Sequence, residues 1–191
     1  MIDRLTDLDK RLFLFLNGIH SAWADHVMWL VSGKYTWIPL YLLILVLLVL
    51  KFRRLSLLII PVIIVLITIS DQVSSHLLKI IFERLRPCHE PGLSGLVHLV
   101  NGYCGGTYGF VSSHASNAAA FAMFTSLLFK KKLYSWLIFL WAALVSYSRI
   151  YLGVHYPGDV LCGFLLGMIL GWLVMKLFKW ALSGTNKKAL V

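Results

Sequence analysis

Between residues 35 and 179 the chain alternates long apolar runs with short polar interruptions. Crossing a hydrocarbon core of roughly 30 Å takes about 20 apolar residues, with about 17 as the lower limit. Five runs meet that length. They cover 35–51, a stretch from Leu55 through LSLLIIPVIIVLITIS into a polar continuation ending near Phe82, then 114–130, 133–149 and 157–179. Pro61 lies inside the second run and predicts a kink, which membrane helices tolerate when neighbours satisfy the freed carbonyl. Pro157 stands at the start of the fifth, where a proline lacking its N–H fits a helix best.

Residues 1–34 follow a different rule. IDRLTDLDKRLFLFLNGIH and SAWADHVMWLVSG mix charges with Leu, Phe, Trp and Met, the pattern of helices lying in the membrane interface. Asn17, His20, Asp25 and His26 interrupt any spanning reading. LFLFL is flanked by Asp7, Asp9, Lys10 and Arg11 and has no small-residue cleavage site after it, so it is not read as a signal peptide. The expectation is an all-α, polytopic membrane helix bundle. It has interfacial helices over 1–34, about five transmembrane helices over 35–180, and a flexible cytoplasmic tail over 181–191.

Composition agrees. The 191 residues are 59% hydrophobic with a mean hydropathy of +0.80, too apolar for a soluble domain of this length. The formal charge of +10 brings no basic stripe or nucleic-acid motif with it, so no nucleic-acid partner is expected. Instead the cations follow apolar runs. Lys51, Arg53 and Arg54 follow the first, Lys130, Lys131 and Lys132 the third, and Lys176, Lys179, Lys187 and Lys188 close the chain. By the positive-inside rule that face is cytoplasmic, placing the N-terminus outside and the C-terminus inside. The opposite face holds the N-terminal region, the 83–113 and 150–156 loops, and every acidic residue except Asp71. Cys88 and Cys104 fall in the outer loop, where an oxidising compartment would permit a bridge, two free thiols being the alternative. Closing a loop of about 15 residues is worth about 3 kcal/mol in the chain-entropy model. Cys162 is read as a small buried residue of the fifth span.

Charged groups at a membrane edge are functional candidates by default. Three such clusters share the outer face: KIIFERLRP (Lys79–Pro87), VSSHASN (Val111–Asn117) and SRIYLGVHYPGD (Ser148–Asp159). Lys79, Arg86 and Arg149 are cations with few nearby anions, and the planar arginine fork suits phosphate oxygens. Ser112, Ser113 and His114 open a helix whose free amides and dipole favour an anion. His155 and Asp159 are four residues apart, which sets the carboxylate one turn below the ring. There it can accept one ring N–H and leave the other nitrogen as a nucleophile. His114 remains free to protonate a leaving oxygen.

At these spacings the chain resembles the type 2 phosphatidic acid phosphatase (PAP2) superfamily, which also includes soluble vanadium haloperoxidases and acid phosphatases. The family's Lys-x6-Arg-Pro motif stands here as Lys79, Arg86 and Pro87. Its Ser-Arg-x5-His-x3-Asp motif stands as Ser148, Arg149, His155 and Asp159. Its Pro-Ser-Gly-His motif reads VSSH, with Val111 for the proline and Ser113 for the glycine. The resemblance runs from about Leu55 to the end of the fifth span and leaves residues 1–34 without a role. It implies a PAP2/vanadium haloperoxidase-like core and a metal-independent, two-step lipid phosphatase with no cofactor. In that reading His155 attacks phosphorus, His114 serves as acid and then base, and Lys79, Arg86, Arg149, Ser112 and Ser113 hold the phosphoryl oxygens. The implied partners are the bilayer and a lipid phosphate or polyprenyl diphosphate. Phosphatidic acid, phosphatidylglycerol phosphate, undecaprenyl diphosphate and lipid A phosphates present a similar head.

Other polar residues have supporting or structural readings. Asp71 is read as pairing with Lys79 or with an N-terminal basic residue, and Glu83 as a support for a cradle arginine. The remaining histidines lack metal-ligand spacing, so no metal site is expected. GYCGGTYGF (Gly102–Phe110) is glycine-rich without a Walker lysine and is read as a flexible lip beside the pocket. The competing readings are a lipid phosphotransferase of the same chemistry and a non-catalytic anion-binding transporter or scaffold.

Overall fold

In a computed structural model of the chain, residues 2–183 are described; the expected tail lies outside the described residues from Gly184 onward. The described residues are helical with no strand, as the apolar runs predict. In chain order the helices are α1 (Ile2–Asn17), α2 (Ala22–Ser32), α3 (Ile38–Phe52), α4 (Ser56–Gln72), α5 (Leu78–Phe82), α6 (Ser113–Phe129), α7 (Lys132–Tyr151) and α8 (Pro157–Leu182). Pro61 sits inside α4. A single π-helical stretch, Val73–Leu77, joins α4 to α5, so the second run continues as one helical segment up to Phe82.

Helix ends follow local chemistry. Ser21 caps α2 by accepting from Ala24 N at 3.3 Å. Pro157 occupies the first turn of α8, and the Asp159 carboxylate turns back to accept from Tyr156 N at 3.0 Å.

The tightest contact in the bundle is between α6 and α8. Gly163, Gly167 and Gly171 recur every four residues along one face of α8, against Ser112, Ser116 and Ala120 of α6. A Cβ at Gly163 would lie 2.5 Å from Ser112 O, and one at Gly171 would lie 2.6 Å from Ala120 O. Lipid tails are as apolar as leucine, so membrane helices associate through such close packing of small residues. On the α6 side Ala115, Ala118, Ala119, Ala120 and Ala122 are buried. Phe124, Ile59, Leu66 and Leu128 fill the centre between α4, α6 and their neighbours.

The glycine face also corrects the expectation for Cys162. It is exposed, because with 163, 167 and 171 facing α6, position 162 is turned outward. It shares that outer surface with Leu161, Leu165 and Ile169, an apolar exterior suited to lipid. By length and composition, two helices among the described residues, α7 and α8, are long and apolar enough to cross a membrane. Helices α3 and α6 have 15 and 17 residues.

Helices α1 and α2 pack on this bundle. Phe13 is fully buried with its ring 5.4 Å from that of Tyr156. Asn17, a break in the apolar pattern, is buried at the end of α1. Its Nδ2 donates to the carbonyls of His98 (3.0 Å) and Tyr151 (2.8 Å), and its Oδ1 accepts from His98 N at 2.8 Å. One side chain thereby joins α1, the loop between α5 and α6, and the end of α7. Cys88 and Cys104 of that loop are joined by a disulfide.

A larger residue at the α6–α8 seam must separate the two backbones. Gly167→Val is expected to cost about 1–3 kcal/mol by overpacking, read as a lower melting temperature in detergent. Gly106→Ala, where nothing lies within 4 Å of the added Cβ, should change it by no more than about 0.5 kcal/mol.

Candidate active site

The three polar clusters converge. Lys79, Arg86, Arg149, Ser113, His114 and His155 all line one cavity of about 900 Å3. Each arrives by a different route. Lys79 comes from α5, beyond the π-helical stretch, and Arg86 from the loop that follows it. Ser113 and His114 open α6, Arg149 ends α7, and His155 stands in the turn before α8. The α6–α8 seam brings the two histidine-bearing ends together, and Ser112 N donates to Asp159 O at 3.0 Å across it. Ser112 and Asp159 themselves sit behind the wall, fully buried.

Three cations of the cavity, Arg86, Arg149 and Lys79, are held by neutral groups. Arg86 donates to the carbonyls of Tyr108 and Cys104, each at 3.2 Å. Gly105 and Gly109 permit this: a Cβ on Gly105 would meet Arg86 Nη1 at 2.8 Å, and one on Gly109 would meet Arg86 Cγ at 3.2 Å. The expected lip is thus the seat of Arg86, stapled by the disulfide. Arg149 donates to the Ser32 hydroxyl of α2. Lys79 Nζ donates to Ser113 Oγ at 3.4 Å, and Ser113 Oγ also bonds Ser75 Oγ at 2.7 Å. Among the described residues none of the three takes part in an ion pair. Their charge is left for an anion in the cavity.

His155 is buried, with Nδ1 3.5 Å from Asp159 Oδ2. The carboxylate therefore lies beside the ring at an ion-pair distance, longer than a hydrogen bond. Its oxygens have closer partners: Tyr156 N at 3.0 Å and Arg84 Nη1 at 2.7 Å. Burial, followed by the fields of Arg86, Arg149 and Lys79, pushes the His155 pKa well below the usual imidazole value, against the opposing backbone of Gly109. The ring is neutral at pH 7, with a lone pair on one nitrogen.

Arg84 is the residue that sequence reasoning missed. It bridges two carboxylates, Asp159 Oδ1 and Asp9 Oδ2, each at 2.7 Å, with its guanidinium over the Tyr156 ring at 4.2 Å. Burial opposes its charge, but Asp159 and Asp9 outweigh that and hold its pKa above the ordinary arginine value. Asp9 also accepts from Gly158 N at 2.8 Å. Residues 1–34 therefore do have a place at the site, through Asp9 and Ser32. The position of Arg84 within KIIFERLRP was its only signal; Asp9 carried none. Glu83 is exposed and takes part in none of these contacts, because the chain turns outward there with a positive φ of 42°. Asp71 makes no ion pair with Lys79, two turns away, or with an N-terminal cation. It accepts from Asn117 Nδ2 (3.1 Å) and Ser75 Oγ (3.4 Å) instead. Cys88, His89 and Cys104 lie close enough to share a metal ion, but the two sulfurs are bonded to each other.

A helical bundle whose cavity holds Lys79, Arg86 and Arg149 outside any ion pair, with two histidines at its end, defines a class of phosphate-handling membrane proteins. Residues 60–183 match the PAP2 superfamily, and the chain belongs to it. It is 43% identical to a lipid A 4'-phosphatase of Bacteroides thetaiotaomicron, covering 91% of this chain and 78% of that one. With a lipid A 4'-phosphatase of Porphyromonas gingivalis it shares 38% identity over 95% and 78% of the two chains. The fold superposes on the crystal structure of a transmembrane PAP2-type phosphatidylglycerolphosphate phosphatase from Bacillus subtilis. The TM-score is 0.69 at 28% identity, covering 93% of this chain and 87% of that one. Relatives and fold together support a membrane lipid phosphatase.

Two outcomes are expected from these geometries. Arg84→Ala leaves Asp159 buried without its cation and should cost about 3–5 kcal/mol. Combining it with Asp159→Asn should recover part of that loss in a double-mutant cycle of detergent unfolding. The depressed His155 pKa also makes the unfolded chain bind more protons than the native one below about pH 6.5. That contribution to stability is present above this pH and is lost as the pH falls. The melting temperature should therefore drop more between pH 7.5 and 5.5 in wild type than in His155→Asn.

Proposed function

We propose that the chain is an integral membrane phosphatase that hydrolyses a lipid phosphate or diphosphate through a phosphohistidine at His155. One observation carries the proposal: His114 and His155 line the same cavity as Lys79, Arg86 and Arg149, which have no carboxylate partner among the described residues. With Nδ1 beside Asp159, Nε2 of His155 is the free nitrogen. It forms the N–P bond as the ester P–O bond breaks, and His114 gives its proton to the departing alkoxide. A water then loses a proton to His114, attacks phosphorus and breaks the N–P bond, releasing phosphate. Lys79, Arg86, Arg149, Ser113 and the first-turn amides of α6 stabilise the equatorial oxygens, and no metal is needed for that charge. Ser112 supports the turn from behind.

Much of the remaining wall of the cavity is apolar or aromatic, with Trp37, Tyr41, Ile63, Phe121 and Trp141. A lipid can enter with its tail still among the helices. Five spans are proposed, α3, the α4–α5 segment, α6, α7 and α8, with 1–34 as an interfacial layer and 181–191 as a cytoplasmic tail. The basic clusters support an inner-membrane orientation with the N-terminus and the active site facing outward.

Purified protein in detergent should release phosphate from a lipid phosphate in excess chelator. His155→Ala should lower kcat at least 10³-fold, and substrate labelled in the phosphoryl group should mark wild type at histidine. Chelator-sensitive release, or full activity in His155→Ala, would refute the mechanism.

A further inference from the structure

One turn below the phosphate cradle the cavity wall carries a second polar layer that the chemistry above does not use. Asp71 precedes Ser75 by four residues and Asn117 follows Ser113 by four, and Ser75 and Ser113 are hydrogen-bonded to each other. Asp71 and Asn117 line the cavity and bond each other at 3.1 Å, Nδ2 donating to Oδ1. At a rise of about 1.5 Å per residue, this pair lies about 6 Å deeper than the serines.

The pair presents acceptors. Asp71 is in no ion pair among the described residues, and both donors that reach it go to Oδ1. Asn117 Nδ2 fixes Asp71 Oδ1, and no side-chain donor among the described residues is placed on Asp71 Oδ2. A carboxylate within a membrane bundle marks a functional site by default. Because Asp71 lines the cavity, a donor on a bound molecule can pair with that oxygen.

We propose that Asp71 and Asn117 form a subsite for hydrogen-bond donors on the phosphate-bearing unit of the substrate. With phosphorus in the cradle, a group about 6 Å deeper stands a few bonds beyond the ester oxygen. The ligand chemistry is a hydroxyl or amide N–H on a phosphorylated sugar or amino sugar. An isoprenoid chain has no such donor, so the subsite discriminates against polyprenyl phosphates by leaving its acceptors unpaired. This assignment rests on the phosphatase reading for the position of the phosphate.

The test compares wild type, Asp71→Asn and Asn117→Ala, each as the full chain in detergent. Asp71→Asn keeps an oxygen for Asn117 Nδ2 and replaces the charge, which makes it the variant that preserves the fold. Turnover is measured on a phosphorylated glucosamine lipid and on undecaprenyl phosphate. The ratio of their kcat/KM values is expected to fall at least tenfold in both variants. A ratio within twofold of wild type overturns the subsite, because Asp71 would then act on the cradle through Ser75 and Ser113 for every substrate alike. A second arm titrates the dephosphorylated glucosamine lipid and follows Trp37 and Trp141 fluorescence. Kd should weaken about tenfold in the variants, and equal Kd values overturn the proposal. Absence of turnover on both substrates in wild type refutes the phosphatase reading, and the titration then decides the subsite alone.

Discussion

The close approach of α6 to α8 is the contact on which the site depends. Three glycines on one face of α8 bring the backbones to a separation that no side chain would allow. His114 opens α6 and His155 immediately precedes α8. The separation of the two histidines is therefore set by the packing of two helices, and the Ser112 N to Asp159 O bond closes that end of the seam. In a bilayer, where exclusion of water does not drive helices together, small residues are the available means of holding such a distance.

Two kinds of cation share this end of the bundle, and their partners separate them. Arg84 is neutralised on both sides, by Asp9 and Asp159. Arg86, Arg149 and Lys79 are held by carbonyls and hydroxyls, which orient a guanidinium or ammonium without cancelling its charge. In a low-dielectric cavity that difference is large, since an unpaired charge interacts far more strongly there than in water. Burial, reinforced by the same field, keeps His155 neutral. One arginine thus pairs with the carboxylate beside His155, while the others keep their charge without an acidic partner among the described residues.

The N-terminal helices, which the family resemblance left without a role, brace these parts from outside. Asp9 reaches both Arg84 and the amide of Gly158, Asn17 ties the loop between α5 and α6 to the end of α7, and Ser32 meets Arg149. All three contacts span long stretches of sequence and rest on single polar side chains in otherwise ordinary amphipathic helices. Nothing in local pattern or spacing marks such residues.

The apolar runs, the basic clusters that follow them and the three spaced motifs were legible in the sequence, because each depends on local order or local composition. Those features determined an all-helical membrane architecture and named both histidines of the cavity and three of its cations, Lys34 being the fourth. The exposure of Cys162, the double pairing of Arg84 and the Asp71–Asn117 layer were decided only by tertiary structure. Which face of a helix turns inward, and which distant carboxylate reaches a given cation, depends on how the helices pack. Here that packing follows from a glycine face whose effect appears only once its partner helix is in place.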